Sequence, residues 1–240
     1  IMSSDWSSDV CSSDLSGWNE AQSAELHPTM LFRQFFEPIR KVGTLKAEMI
    51  IDNGDGKYIF DFGQNFAGWT KLSIEGEKGQ EIVIRFAEEL DENNRLDPTT
   101  TGVPATKVVQ TSKYICKGEG LETWEPKFAY HGFRYAEVSG LNAKPEPDLL
   151  TGIVVHSDLP ESGSFQTSEE NINKLHELSV WTLKGNIHSI PTDCPHREKC
   201  GWTGDAHALS KALIYNYGSQ RFMSKYMFDM RSSGREVKRE

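Results

Sequence analysis

The chain has 240 residues, 37 % of them hydrophobic and 25 % charged, and its 26 Lys and Arg against 35 Asp and Glu leave a formal charge of −9. That length serves one large domain or two modest ones, and the composition is that of a folded globular protein. The acidic balance argues against a nucleic-acid partner, which would concentrate Lys and Arg, and no apolar run approaches the roughly 20 residues that a membrane span needs.

Residues 3–14 read S-S-D-W-S-S-D-V-C-S-S-D. A segment with so little to bury is expected to be disordered. It resembles a translated sequencing adapter more than protein evolved to fold, so residues 1–16 are read as a non-native leader, and Trp6 and Cys11 carry no functional weight. The charged start and apolar core of a signal peptide are missing, which slightly favours a cytoplasmic location. Residues 17–37 are read as a linker or the remnant of a preceding domain.

From residue 38 to 160 the pattern is short alternating runs separated by turns. Asn53-Gly54-Asp55-Gly56 is a strong turn signal, and the strand Lys57–Phe62 follows it. Further strands are expected at Thr70–Glu75, Glu81–Ala87, Lys107–Cys116, Arg134–Val138 and Gly152–His156. Regularly spaced strands without intervening helices predict an antiparallel β-sandwich. Two stretches are rich in aromatics and glycines, Asp61–Trp69 (D-F-G-Q-N-F-A-G-W) and Tyr130–Gly140 (Y-H-G-F-R-Y-A-E-V-S-G). Core packing with glycine turns is the reading their residues favour over sugar binding.

Over residues 161–240 the period changes. Thr167-Ser168-Glu169-Glu170 predicts a capping box, with Thr167 as the cap and Glu170 answering it. Ile172, Leu175, Leu178 and Trp181 then recur at helical spacing. Ala206, Leu209, Ala212 and Leu213 mark a second helix that should begin close to Asp205, an acidic residue that the helix dipole favours there. About three helices are expected in this region. After Met230 the sequence changes abruptly, and this end is read as foreign or cut.

Between the two marked helices lies the most informative segment, Pro191 to Ala206, P-T-D-C-P-H-R-E-K-C-G-W-T-G-D-A. Pro191, Pro195, Gly201 and Gly204 make it a loop, and loops on rigid scaffolds carry sites. Its carboxylates Asp193, Glu198 and Asp205, its guanidinium Arg197 and its indole Trp202 are groups that protonate, hydrogen-bond and stack on a sugar ring. A general acid must keep its proton near neutral pH, so Glu198 should lie close to other negative charge. Arg197 should then aim its head at the sugar and not at Glu198. Cys194 and Cys200, with Cys11 and Cys116, are too few for a disulfide scaffold. Together with His188, His196 and His207 they lack the C-x-x-C and H-x-x-x-H spacings of a zinc site, so neither a metal nor a cofactor is expected.

The loop resembles the signature loop of the bacterial α-L-rhamnosidases. His196 departs from it where the family generally has Gln, and Cys200 where it generally has an aliphatic residue. The Asp61–Trp69 and Tyr130–Gly140 stretches resemble the concanavalin-like domain of the same family. The resemblance implies a β-sandwich followed by the first helices of a truncated (α/α)₆ barrel. It implies hydrolysis of terminal α-L-rhamnose from rhamnose-containing glycosides with inversion. Glu198 would be the acid, and Asp193, Arg197, Trp202 and Asp205 would hold the ring. The base would be a Glu beyond residue 240, so that the chain by itself is expected to be inactive. A non-catalytic carbohydrate-binding sandwich and another inverting (α/α)₆ glycosidase are the alternatives.

Overall fold

A computed structural model describes residues 33–100 and 110–236, with residues 19, 22 and 23 in addition. The expected leader, with Trp6 and Cys11, lies outside the described residues. Phe36–Glu240 cluster into one compact unit and Ile1–Phe35 into another.

Among the described residues eight strands form a wholly antiparallel sheet: β1 (Ile39–Lys46), β2 (Met49–Asp52), β3 (Tyr58–Glu75), β4 (Glu81–Ala87), β5 (Thr111–Ile115), β6 (Leu121–Trp124), β7 (His131–Ser139) and β8 (Leu150–Ser157). The Asn53–Gly56 turn joins β2 to β3, with Gly54, Asp55 and Gly56 all in the left-handed region that such a turn demands. The two strands expected at Lys57–Phe62 and Thr70–Glu75 are one strand of 18 residues. β3 pairs with β2 and β7 along its first half, then with β8 and β6 along its second, with a register shift between Asp61 and Phe66. An irregularity of this kind bends a strand, and β7 stays paired with β3 on both sides of it. A length of extended chain that ran past a polar kink therefore read as two strands. β1, β2 and β6 gave no clear sequence signal. They lie off the centre of the sheet and bury little, and β1 is exposed along almost its whole length.

Both halves of β3 turn side chains into a single core. Phe60, Phe62, Phe66, Leu72 and Ile74 from β3 meet Ile82, Ile84 and Phe86 from β4, Phe133, Ala136 and Val138 from β7, and Leu150 and Val154 from β8. Every second residue of β4 points inward, as the period of a pleated strand requires. Phe133 is the hub, with Phe66 at 4.4 Å, Phe86 at 4.6 Å and Phe62 at 5.8 Å between ring centroids. Phe62, Phe66 and Phe133 of the two conspicuous stretches are thus in this core, Trp69 is buried in a separate small cluster, and Tyr130 and Tyr135 are only half-buried. Arg134 joins the two stretches through paired hydrogen bonds of 2.7 and 2.8 Å to the buried carboxylate of Asp61. Gly68 ends the first stretch where β3 touches β8. It has φ +156°, and a Cβ there would stand 1.9 Å from the carbonyl oxygen of Ile153.

Among the described residues three helices follow: α1 (Glu170–Gly185), α2 (Thr203–Asn216) and α3 (Gln220–Glu236). α2 starts as expected, with Asp205 in its first turn. α3 runs past Met230 without interruption, so the sequence change there does not end the helix. The capping box at α1 is not formed. The Thr167 hydroxyl accepts the N–H of Glu169 at 3.1 Å, and it is Asn173, not Glu170, that reaches back to the Thr167 backbone, at 2.8 and 2.9 Å. The amide of Asn173 both donates and accepts, which a glutamate cannot do, and Glu170 pairs with Lys174 instead. Leu183, Ile187, Leu213, Tyr217 and Phe222 form the helical core, with Leu159 from the chain leaving β8. Trp181 packs on the sheet core. The rest of the stripe that marked α1 is open: Ile172, Leu175 and Leu178 are 47, 64 and 60 % exposed.

Candidate functional site

The segment between α1 and α2 is closed on itself by its own backbone. The N–H of Asp193 donates to the carbonyl of Cys200 at 3.0 Å, and the N–H of Cys200 returns to Asp193 Oδ1 at 2.9 Å. The Cys194 thiol takes the other Asp193 oxygen at 3.0 Å, and Cys194 Sγ accepts the N–H of Glu198 at 3.2 Å. Burial works against the Asp193 carboxylate, but the Cys194 thiol and the Cys200 N–H outweigh it and hold its pKa below the usual range. Asp193 therefore fastens the two ends of a loop that displays residues 194–199. Lys199 turns the chain with φ +54°.

Glu198, Arg197 and Trp202 meet at the surface of this loop. Trp202 Nε1–H donates to Glu198 Oε2 at 2.8 Å, and an Arg197 Nη–H reaches Oε1 at 3.3 Å. Arg197 thus points at Glu198, against the expectation from the sequence. The two are neighbours of opposite charge with side chains 44 and 29 % exposed, and nothing built into the loop holds them apart. Trp202 is 54 % exposed and presents most of its indole to solvent. Asp205 is exposed on the first turn of α2, one turn beyond Trp202. Below this turn the Tyr226 hydroxyl of α3 donates to the carbonyl of Gly201 at 2.9 Å. Among the described residues no His, Cys, Asp and Glu come together as a metal-binding group, and no helix is long and apolar enough to cross a membrane.

The underside of the loop rests on the sheet, in part through Glu88, Gly132 and Lys199, which sequence reasoning did not single out. A Cβ on Gly132 of β7 would come within 2.6 Å of Pro195 Cγ and 2.9 Å of the His196 nitrogen, so the loop lies directly on the strand. His196 Nδ1 stands 3.2 Å from Glu88 Oε2, just past β4. Glu88 is desolvated there, yet His196 and Asn65 keep its pKa below the ordinary carboxylate range. Lys199 Nζ donates to the carbonyl of Tyr130 at 2.7 Å and sits 4.5 Å from the centre of the Tyr130 ring. That ring stacks on His188 at 3.8 Å. Burial, with Cys194, Asp193 and Cys200 close by, pushes the Tyr130 phenol up to about 12. Burial beside Lys199 pushes His188 down to about 4. Adjacency to Glu198 is a sequence signal for Lys199, and the Y-H-G-F-R-Y stretch one for Tyr130. Nothing in the sequence links position 88 to position 196.

A carboxylate flanked by an indole and a guanidinium, on an open loop at the start of a helix, offers groups that can hydrogen-bond to hydroxyls and stack on a ring. Comparison with known proteins narrows this class. Residues 51–156 match the bacterial α-L-rhamnosidase concanavalin-like domain, and residues 160–238 match the bacterial α-L-rhamnosidase 6 hairpin glycosidase domain. An α-L-rhamnosidase of Formosa agariphila is 43 % identical over 95 % of this chain and 24 % of its own length. One from Streptomyces avermitilis is 36 % identical over 86 % of this chain and 20 % of its own length. Among solved structures, the α-L-rhamnosidase of Dictyoglumus thermophilum superposes with a TM-score of 0.80 at 40 % identity, covering 83 % of this chain and 22 % of that one. The Streptomyces avermitilis enzyme complexed with L-rhamnose gives 0.79 at 36 % identity, covering 83 % and 19 %. The chain belongs to the bacterial α-L-rhamnosidases, and it spans about a quarter of the length of the first of these curated relatives.

Proposed function

We propose that this chain is the acid-bearing part of an inverting α-L-rhamnosidase that releases terminal non-reducing rhamnose from glycosides. Glu198 is the general acid, and Asp193, Arg197, Trp202 and Asp205 bind the ring. Residues 38–160 act as the sheet domain and 161–240 as part of the helical catalytic domain. The observation that carries this reading is the display of Glu198 beside Arg197 and Trp202 on an open loop within the stretch that matches the 6 hairpin glycosidase domain. Both donors favour the carboxylate form, so Glu198 takes up its proton once substrate draws Arg197 away. The uncovered apolar stripe of α1 supports a helical domain with further helices packed upon it.

Hydrolysis breaks the bond between the anomeric carbon and the glycosidic oxygen. The acid gives its proton to that oxygen, and a second carboxylate takes one from the attacking water on the opposite face of the sugar. Glu198 Oε2 already accepts the Trp202 N–H, so the transferred proton sits on Oε1. Arg197 occupies that oxygen in the structure. Substrate must draw the guanidinium away, and the ring hydroxyls are its natural new acceptors.

The test is rhamnose release from a natural glycoside and from a nitrophenyl rhamnoside by the full-length enzyme. Glu198→Gln cannot donate a proton, and the natural glycoside should lose roughly 10²–10⁴-fold in kcat, the usual contribution of general acid catalysis. The nitrophenyl substrate, whose leaving group hardly needs protonation, should lose far less. Asp193→Asn should weaken both alike, and residues 1–240 alone should release no rhamnose from either. Equal losses for Glu198→Gln on the two substrates remove it as the acid.

A further inference from the structure

The sheet grips the loop on both sides of Glu198. Two residues before it, His196 contacts Glu88 at 3.2 Å, and both side chains are largely enclosed, at 16 and 19 % exposure. One residue after it, Lys199 reaches across to the Tyr130 carbonyl at 2.7 Å and over the Tyr130 ring. Pro195 and His196 lie on Gly132, where no side chain intervenes between loop and strand. These contacts join segments distant in sequence, and they flank the one residue that must be held to a fraction of an ångström if it is to protonate a leaving group.

Lys199 is the more telling anchor. A lysine normally keeps its ammonium in water. Here, among the described residues, its Nζ meets no carboxylate within ion-pairing distance, and desolvation lowers its pKa. Its charge is met only by a carbonyl dipole and an aromatic face, a cation–π arrangement that gains strength when desolvated. The left-handed backbone of Lys199 turns its side chain down to the sheet while Glu198 stays on the upper face with Arg197 and Trp202. Such a conformation costs a non-glycine residue energy and persists where the surroundings enforce it.

We propose that Lys199 with Tyr130, and His196 with Glu88, are positioning residues for Glu198, so that the sheet domain is a working part of the acid's setting and not a separate sugar-binding module. This rests on the reading of Glu198 as general acid. Neither pair touches the substrate. Their loss lets Glu198 drift from the glycosidic oxygen, and misplacement by about 1 Å can cost on the order of 100-fold.

The experiment uses the full-length enzyme with the same two substrates. Lys199→Met keeps the stem and removes the ammonium. It should lower kcat on the natural glycoside by about 10- to 100-fold, with KM within about twofold and a much smaller loss on the nitrophenyl rhamnoside. Lys199→Arg should recover most of the loss. Glu88→Gln, a milder change on the other side, should show the same split at smaller amplitude, and it carries the test if Lys199→Met does not fold. The decisive arm is the double variant Lys199→Met/Glu198→Gln, which should be no slower than Glu198→Gln, since a residue acting only through Glu198 has nothing left to position. Equal losses on the two substrates, or a further loss in the double variant, overturn the positioning role. If Glu198→Gln itself fails to distinguish the substrates, the acid assignment falls first, and the anchors are then judged by whether Lys199→Met still separates kcat from KM.

Discussion

The central strands of the sheet bury their large apolar residues far more completely than the helices do. In the sheet, Phe60, Phe62, Phe86 and Phe133 are fully buried among strands far apart in sequence. In the helices, Leu183, Ile187, Leu213 and Phe222 are buried, but Ile172, Leu175, Leu178, Ile214, Met227 and Phe228 are more than 45 % exposed. A β-sandwich closes its core with its own strands. A helix buries one stripe for each neighbour it has, and most helical stability comes from such packing. The helical region leans on the sheet, through Trp181 and through Ser157, whose N–H donates to the Ile187 carbonyl at 2.8 Å and whose hydroxyl accepts the Ser189 N–H at 2.9 Å.

The largest test of this contrast is to separate the two. Residues 38–160 expressed alone should melt cooperatively with a β-type far-UV circular dichroism spectrum, and residues 161–240 alone should show little helix and no cooperative melt. A sharp helical transition from the second piece would mean that its small core suffices. At the scale of single residues, Phe133→Ala should cost about 3–5 kcal/mol, as large-to-small changes in a packed core do. Leu178→Ala on the open face of α1 should stay within about 0.5 kcal/mol in the same denaturant titration. A comparable loss at Leu178 would show that this face is covered in solution.

A smaller, pH-dependent effect lies where the two regions meet. His131 and His188 are held neutral by burial, with pKa values pushed down to about 3 and about 4, and the Nδ1 of each has no hydrogen-bond partner among the described residues. Their unfolded values lie near 6.5. Between that value and the folded ones the unfolded chain binds protons that the folded chain refuses, so stability is complete above about pH 6.5 and declines as pH falls toward 4. His188→Phe keeps a ring against Tyr130 and removes one titration, so its stability curve should be flatter over this window. Identical slopes for the two proteins would show that His188 titrates normally in the fold.

Much was legible in the chain by itself. Alternation fixed β4 to the residue, Asn53–Gly56 marked a real turn, and helical spacing located α1 and α2, because these signals are local and need no partner. The Pro191–Ala206 loop disclosed its family through rare residues at fixed offsets, and the comparisons agree with that reading. What tertiary structure alone decided is how those residues are used. It joined two expected strands into β3, because a bulge is invisible to a period of two. It turned Arg197 onto Glu198, and it set Asp193 to fastening the loop. It brought Glu88 to His196, and Tyr130 to Lys199 and His188. Charge, burial and hydrogen bonding act through space, and contacts across more than fifty residues leave no mark on the spacing of either partner.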